Sequence, residues 1–214
     1  MGLQSFLAGG LCIAFIAYFV GSIPFGYLIG KLNGVDIRRH GSKNIGATNV
    51  RRTLGKDWGM VCFVLDFLKG LLPVIIIGNW LGARMAIGSE WGEMFAIAGT
   101  ITGHVFPYTL DFKGGKGVAT SLGAILGVTI APVLVGAVVW YITFLRTRMV
   151  SLASLVAAVS MPLFAALMFL LNKGNFNVAN IVLMCIIAAL IIIRHKDNIV
   201  RIKNGQESKF SRKK

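Results

Sequence analysis

Residues 40–55, HGSKNIGATNVRRTLG, combine hydrogen-bond donors and positive charge in a pattern that suits an anion. The stretch holds three glycines, two asparagines, a serine, two threonines, two arginines and a lysine, and it has no acidic residue. Glycines let backbone N–H groups approach a ligand, while hydroxyl, amide and guanidinium groups supply further donors. The expected ligand is an anion, most simply a phosphate. The alternative is a basic loop that only sets the orientation of the chain in a membrane.

A second glycine-rich stretch, DFKGGKGVAT at residues 111–120, has the composition of a phosphate cradle. It is not a Walker A loop, because that motif requires Ser or Thr after its lysine, whereas Gly117 follows Lys116. A nucleotide is therefore not indicated. Glycine would still allow close backbone approach, with Lys116 as the charge. The alternative is a helix start that glycine makes flexible.

A third polar stretch, RHKDN at residues 194–198, closes the last apolar segment. His195 could act as a general base, donate to a phosphate, or serve as a cation at a helix C-terminus. Its neighbours Arg194 and Asn198 favour a functional role. His104 lies just inside an apolar segment, and we interpret it as a packing histidine. His40 either belongs to the donor set of the first loop or is solvated.

Several classes of enzyme are excluded by spacing. Acyltransferases that use thioesters commonly carry Asp five residues after a His, and the corresponding positions here are Ile45, Thr109 and Val200. No Asp-rich pattern suits a magnesium-dependent phosphatidyltransferase, nothing resembles a zinc site, and no Ser–His–Asp set is evident. We expect neither a metal nor a cofactor.

The composition is that of an integral membrane protein. The 214 residues are 56% hydrophobic with a mean hydropathy of +0.75, which predicts one membrane-embedded domain over residues 1–214. The net charge of +14 lies in short loops between apolar runs, so it does not indicate nucleic-acid binding. Cys12, Cys62 and Cys185 fall inside apolar runs and are expected to be buried and unpaired.

The apolar pattern predicts an all-α fold with seven transmembrane helices. Five spans are expected at residues 3–30, 58–81, 91–110, 150–171 and 177–193. The run 118–145 is too long for one span, and the break signals in GVTIAP, residues 127–132, predict a hairpin of two short helices. The N-terminus is then outside and the C-terminus cytoplasmic, which puts 19 of the 22 Lys and Arg residues on the cytoplasmic side.

Two charged residues interrupt the second predicted span. Asp66 and Lys69 are three residues apart and so share one face of a helix. Charges at that depth are costly unless they are paired or face a polar cavity. We predict a pair that faces the helix bundle and supports the site; the alternatives are a structural ion pair and a lysine that reaches the interface.

The predicted topology places four polar segments on the cytoplasmic face. They are residues 31–56, 111–120, 146–154 and the chain from residue 194 onward. Convergence of these segments on one cytoplasmic pocket is the hypothesis that needs the fewest sites.

Three of these polar stretches resemble the signatures of a known family. They are SIPFGYLIGKLNGVDIRRHGSKNIGATNVRRTLG, GHVFPYTLDFKGGKGVAT and RHKDNIVRIKNGQESK. They are similar, in order and across essentially the whole chain, to those of the bacterial acyl-phosphate-dependent glycerol-3-phosphate acyltransferases (the PlsY family). The resemblance implies transfer of a fatty acyl group from acyl phosphate to the 1-hydroxyl of sn-glycerol 3-phosphate. It also implies a multi-pass protein of the bacterial cytoplasmic membrane with its active site on the cytoplasmic face.

The resemblance also assigns site residues. It implies catalytic roles for Ser42, Arg52, Lys116, His195 and Asn198. It implies substrate binding by residues of all three motifs and by a serine after the basic turn: Asn44, Thr48, Asn49, Gly114, Gly115, Gly117, Ser151 or Ser154, and Glu207. The partners would be the two substrates and membrane lipid, with no nucleic acid and no obligatory protein partner.

An acyl phosphate is already activated, so we expect direct attack by the glycerol hydroxyl without an acyl-enzyme. Lys116, Arg52 and backbone amides would bind the phosphates and stabilise the oxyanion. The proton acceptor is either His195 or a substrate phosphate. The competing class is a transporter or channel for an organic phosphate, although the chain shows no internal repeat.

Overall fold

The computed structural model describes residues 2–85, 87–174 and 176–210, and throughout these ranges the chain forms helices and loops without a strand. The all-α prediction is therefore confirmed. The segment predicted to be cytoplasmic from residue 194 onward includes three basic residues that lie outside the described residues: Arg212, Lys213 and Lys214. The fold divides into two compact units, Met1–Val128 and Thr129–Lys214.

Over residues 2–85 and 87–128, the first unit contains seven α-helices. They are α1 (Leu3–Gly21), α2 (Phe25–Leu32), α3 (Ala47–Leu54), α4 (Lys56–Leu72), α5 (Trp80–Arg84), α6 (Ser89–Val105) and α7 (Val118–Leu126). A π-helical segment, Pro73–Asn79, joins α4 to α5, and single 3-10 turns form at Ile37–Arg39 and Tyr108–Leu110.

Close backbone packing holds α1 against α6. A Cβ atom at Gly21 would overlap the Thr100 carbonyl, and one at Gly103 would overlap the Tyr18 carbonyl. Small residues permit this approach in an apolar bundle, where dispersion contacts drive helix association. Helix α1 then ends at Gly21, and α2 begins at Phe25, directly after Pro24.

The third apolar segment is shorter than predicted. The helix α6 ends at Val105 instead of continuing to Leu110, because the residue before Pro107 is pushed out of helical geometry and Phe106 has φ −129°. The chain then turns back on α6, and the turn carries residues 111–120, the glycine–lysine stretch. The early end of α6 places that stretch next to His104.

The described part of the second unit contains four helices. They are α8 (Ala131–Thr147), α9 (Val150–Leu170), α10 (Val178–Arg194) and α11 (Lys196–Lys203). The helix α9 packs against α8, α10 and α11. The C-terminal stretch returns to the turn between α8 and α9, where the Phe210 N–H donates to the Arg148 carbonyl at 3.0 Å. The predicted break in residues 118–145 is confirmed, since α7 ends at Leu126 and α8 begins at Ala131.

Three helical segments among the described residues are long and apolar enough to cross a membrane: Leu3–Leu32, Lys56–Arg84 and Val150–Leu170. A fourth is obtained if Val178–Arg194 and Lys196–Lys203, which meet at 61°, form one bent span. The seven-span count and the orientation of the termini stay predictions.

The prediction for the cysteines is only partly right. All three are free, and Cys62 is buried, but Cys12 and Cys185 are exposed on the surface of the chain. A helix that faces lipid carries apolar residues on its outer side, so an apolar neighbourhood in sequence does not place a residue in the core.

Candidate active site

Asn49 organises the first polar loop, residues 31–56. Its side chain is 1% exposed, and its Oδ1 accepts a 2.8 Å hydrogen bond from the Ser42 N–H. Its Nδ2 lies within hydrogen-bond distance of three loop carbonyls, those of Ile37, His40 and Asn44, at 3.1, 3.1 and 2.8 Å. The side chain therefore holds the loop in shape. A direct contact of Asn49 with substrate stays a prediction.

The loop ends in a short helix that the sequence analysis did not predict. Asn44 Oδ1 accepts from the Gly46 N–H at 2.9 Å, a local turn that leads into α3. Thr48 is half-buried in the first turn of α3, whereas Arg52 is exposed in its last turn. Ser42 lies in the exposed part of the loop before the helix. The site candidates of this motif thus divide between an ordered loop and α3.

The one acidic residue of residues 31–56 neutralises a specific arginine. Arg38 Nε donates to Asp36 Oδ1 at 3.0 Å, and an Arg38 terminal nitrogen lies 2.9 Å from Asp36 Oδ2. The Arg38 hydrogen bond lowers the pKa of Asp36 to about 2. Arg38 also stacks over the Tyr27 ring, with 4.5 Å between the guanidinium carbon and the ring centroid. Arg38 is thus a structural cation, and we assign it no substrate role.

The glycine–lysine stretch is anchored to the end of α6. The Gly115 N–H donates to the His104 carbonyl and the Gly114 N–H to the Val105 carbonyl, both at 3.1 Å. A Cβ atom at Gly115 would overlap the His104 ring. Gly117, with φ +83°, precedes α7, and Lys116 beside it is half-buried. The first N–H groups of a helix have no carbonyl partner within that helix, so this geometry suits an anion.

Near this stretch lies a group of buried charges. Lys69 Nζ and Asp66 Oδ1 are 2.8 Å apart, and each side chain is 3% exposed. The prediction that this pair faces the interior is confirmed. His104 Nδ1 lies 3.6 Å from the same Asp66 oxygen, so His104 is more than the packing residue we expected.

In the second unit, Glu207 accepts hydrogen bonds from three polar side chains. Its side chain is 3% exposed and accepts from Ser151 Oγ at 2.7 Å, Asn198 Nδ2 at 2.7 Å and Arg201 Nε at 2.9 Å. Burial alone would raise the pKa of Glu207, but the hydrogen bonds from Ser151, Arg201 and Asn198 outweigh burial and hold its pKa below the usual value. Glu207 is therefore ionised near neutral pH and orients Ser151 and Asn198.

His195 occupies the joint between α10 and α11. Its ring is buried, and Nδ1 lies 2.8 Å from the Ile191 carbonyl oxygen. A carbonyl can only accept, so Nδ1 carries hydrogen in this arrangement, and the base chemistry of a neutral ring falls to Nε2. His195 thus has a fixed ring, as general acid–base chemistry requires.

The two candidate serines of α9 differ in their partners. Ser151, in the first turn, joins the Glu207 cluster. Ser154, one turn later, is 4% exposed and lies 3.2 Å from Trp140 Nε1, which donates to it. Ser151 is therefore the one that shares an acceptor with Asn198.

Sequence reasoning missed two residues of these clusters. Arg201 pairs with Glu207, and a signal was available, because Arg201 follows Asn198 by three residues on one face of α11. Trp140 donates a hydrogen bond to Ser154 from another helix, and no local spacing in the sequence indicates this contact. No group of three or more His, Cys, Asp or Glu residues suited to a metal ion occurs in the ranges that the structure describes.

The chain is similar to known proteins over most of its length. The family model for glycerol-3-phosphate acyltransferase matches residues 11–205. The glycerol-3-phosphate acyltransferase of Aquifex aeolicus (strain VF5) is 43% identical over 94% of this chain and 98% of its own length. That of Geobacter sulfurreducens is 42% identical over 94% of this chain and 97% of its own.

Two solved structures are similar throughout. Both are crystal structures of PlsY (YgiH), an integral membrane glycerol 3-phosphate acyltransferase, at 42% identity over 94% of this chain. The glycerol 3-phosphate form has a TM-score of 0.83 and is covered over 96% of its chain. The lysophosphatidic acid form has a TM-score of 0.81 and is covered over 95%. This chain therefore belongs to the glycerol-3-phosphate acyltransferase family.

Proposed function

We propose that this protein transfers a fatty acyl group from acyl phosphate to the 1-hydroxyl of sn-glycerol 3-phosphate. The glycerol oxygen forms a bond to the acyl carbon, the bond between that carbon and the phosphate oxygen breaks, and lysophosphatidic acid and phosphate leave. The relatives named for this acceptor, one of them solved in its glycerol 3-phosphate form, support the choice of acceptor. The acyl-phosphate donor rests on the motif resemblance and on the donor-rich loops.

The observation that carries this proposal is the anchored glycine–lysine stretch at the start of α7. Its backbone is tied to α6 at Gly114 and Gly115, and Lys116 follows directly. In our account, Lys116 and backbone N–H groups at the start of α7 bind phosphate and stabilise the developing oxyanion, and Gly114, Gly115 and Gly117 let the substrate approach the backbone closely.

The first loop supplies the second set of phosphate contacts. Arg52 would pair with a phosphate, and Ser42, Asn44 and Thr48 would donate or accept around it, while Asn49 keeps the loop in shape. Holding two substrates in reactive geometry can contribute up to about 7–11 kcal/mol in the best intramolecular models, so positioning supplies much of the catalysis.

The proton acceptor in our account is His195. His195 Nε2 takes the proton of the glycerol hydroxyl, and Asn198, Ser151 and Ser154 bind the substrate beside it, with Glu207 orienting the first two. The Nδ1 bond to Ile191 supports this choice, since it fixes the ring. The alternative acceptor is a substrate phosphate, whose second pKa is about 6.

We further propose a single functional domain over residues 1–214 with seven spans in a bacterial inner membrane. The N-terminus would lie outside, and the C-terminus and site would face the cytoplasm. The concentration of Lys and Arg in alternate loops supports this orientation. In a cysteine-free background, a membrane-impermeant thiol reagent applied from the periplasm should label Lys173→Cys but not Lys43→Cys. Labelling of Lys43→Cys would overturn the topology.

The proposed reaction is tested by phosphate release from palmitoyl phosphate by purified protein in lipidic medium. We expect release that depends on glycerol 3-phosphate and that falls steeply, to a low but measurable rate, in Lys116→Ala and Arg52→Ala. Release without the acceptor would indicate a hydrolase or a covalent intermediate. No release from folded protein would contradict the proposed donor.

A further inference from the structure

Asp66 and Lys69 do more than neutralise each other inside the first unit. Burying either charge alone would be costly, and the 2.8 Å contact between Lys69 Nζ and Asp66 Oδ1 offsets that cost. Each partner also has a second contact, and the two second contacts lead to different polar loops.

Lys69 reaches the break between α1 and α2. Its Nζ donates a 2.6 Å hydrogen bond to the carbonyl of Ile23, which precedes Pro24. The same carbonyl accepts from the Phe25 N–H at 3.1 Å, so the charged donor strengthens the turn that starts α2. Farther along α2, a Cβ atom at Gly26 would overlap the Ile45 carbonyl of the first polar loop. A shift of α2 therefore moves that loop.

Asp66 reaches the end of α6. Its Oδ1 lies 3.6 Å from His104 Nδ1, and the His104 side chain is 4% exposed. His104 touches the glycine–lysine stretch twice: its carbonyl accepts from the Gly115 N–H, and its ring fills the space where a side chain at position 115 would lie. The orientation of this ring therefore controls the backbone that precedes Lys116.

A further bond ties the same helices together. Thr100 Oγ1, one turn before His104 on α6, donates to the Lys69 carbonyl at 2.7 Å. The α4 turn that carries the ion pair thus contacts α6 through the Lys69 backbone carbonyl and through the Asp66 side chain.

We propose that Asp66, Lys69 and His104 form a buried positioning network that holds the glycine–lysine stretch and the start of α2 in the geometry that binds substrate phosphate. The network touches no substrate. It acts through Lys116 on one side and through the first polar loop on the other, so it deepens the proposed function and rests on it.

A double-mutant cycle between His104 and Lys116 tests the network. His104→Gln keeps a polar side chain but loses the ring against Gly115. We expect it to raise the KM of whichever phosphate substrate loses affinity in Lys116→Ala, by about 10- to 100-fold, with a smaller change in kcat. In the Lys116→Ala background the same substitution should change that KM by about twofold or less, because the contact it positions is already gone.

A general loss of structure would behave differently. It would lower the active fraction and kcat and leave KM unchanged, and its cost would be the same in both backgrounds. The network would be overturned by an unchanged KM in His104→Gln, or by an equal cost in both backgrounds, provided that the variant keeps its thermal midpoint. Thr102→Val is the matched control on α6, since the Thr102 hydroxyl donates to Ala98 and Gly99 of its own helix. It should leave both KM values unchanged.

A second pair of variants covers the case in which His104→Gln does not fold. Gly115→Ala should impair phosphate binding because its Cβ meets the His104 ring, and His104→Ala in the same chain should make room and restore part of the affinity. Absence of any restoration would contradict the contact. Acceptor-dependent phosphate release by the unmodified protein is measured first: if it is absent, the proposed function fails, and if it is present, the cycle judges the network alone.

Discussion

The Ser151 hydroxyl donates a 2.7 Å hydrogen bond to Glu207 Oε1, which joins the first turn of α9 to the stretch that follows α11. The same oxygen accepts from Asn198 at 2.7 Å, so two predicted site residues share one acceptor. A buried carboxylate with several donors is stabilised as the anion and orients the groups that donate to it. This single residue therefore sets the geometry of the polar cluster in the second unit.

Replacing Glu207 by Gln should lower kcat/KM about tenfold, equivalent to about 1.4 kcal/mol of transition-state stabilisation. The amide keeps one acceptor oxygen but loses the charge that holds Ser151, Asn198 and Arg201 together. Steady-state kinetics with both substrates measure the effect. Arg201→Gln is the control and should cost less, because the Arg201 side chain is 38% exposed and its pairing is screened by solvent. Full activity in Glu207→Gln would show that the cluster does not serve the reaction.

The lowered pKa of Glu207 predicts an acid-dependent loss of stability. A carboxyl whose pKa is lower in the folded than in the unfolded state binds more protons when unfolded, so its stabilisation is present above about the ordinary value of 4.5. That stabilisation is lost as the pH falls through the lower folded value. The thermal midpoint should therefore decline from about pH 4.5 downward, and Glu207→Gln should show a weaker decline. Parallel curves for the two proteins would contradict the assignment.

Asn49→Ala should destabilise the first loop and reduce activity together. The substitution removes one acceptor and the amide donors that face three carbonyls, and buried groups left unpaired cost about 1–3 kcal/mol. Thermal unfolding in detergent and the acyl-transfer rate measure the two effects. Asn33→Ala is the matched control, since the Asn33 amide donates to one carbonyl, that of Ile29, in its own helix. Equal effects of the two substitutions would show that Asn49 does not organise the loop.

Local spacing was enough to predict some of these relationships. Asp66 and Lys69 are one helical turn apart, so their shared face followed from the sequence, and the break at residues 127–130 followed from glycine and proline. The resemblance of the polar stretches to a known family points to Glu207 and to two of the three residues that donate to it, Ser151 and Asn198.

Other relationships depend on contacts between distant segments. The sequence favours a packing role for His104, because no charged residue lies near it in the chain. Its partner Asp66 belongs to another helix. The early end of α6 brings Gly115 against that ring, and a hydropathy pattern does not report where the chain turns back. Cys12 and Cys185 were placed in the core because hydropathy does not distinguish a lipid-facing surface from a protein interior.

His195→Ala should lower kcat by about 100-fold or more if Nε2 accepts the proton of the glycerol hydroxyl. The acid limb of the pH–rate profile should then disappear, because the group that must be neutral is gone. His195→Gln is the control for volume and polarity. A loss of only a few fold, with the acid limb intact, would assign the proton to a substrate phosphate and leave His195 a binding role.

The central claim is direct transfer from an acyl phosphate, and product stoichiometry tests it most directly. Purified protein would receive labelled palmitoyl phosphate and glycerol 3-phosphate, with palmitoyl-CoA as the alternative donor, and lysophosphatidic acid, phosphate and protein-bound acyl groups would be quantified together. We predict equal amounts of lysophosphatidic acid and phosphate, no product from palmitoyl-CoA, and no label on the protein when the acceptor is withheld. Comparable product from palmitoyl-CoA, or acyl label trapped on the protein, would contradict the account.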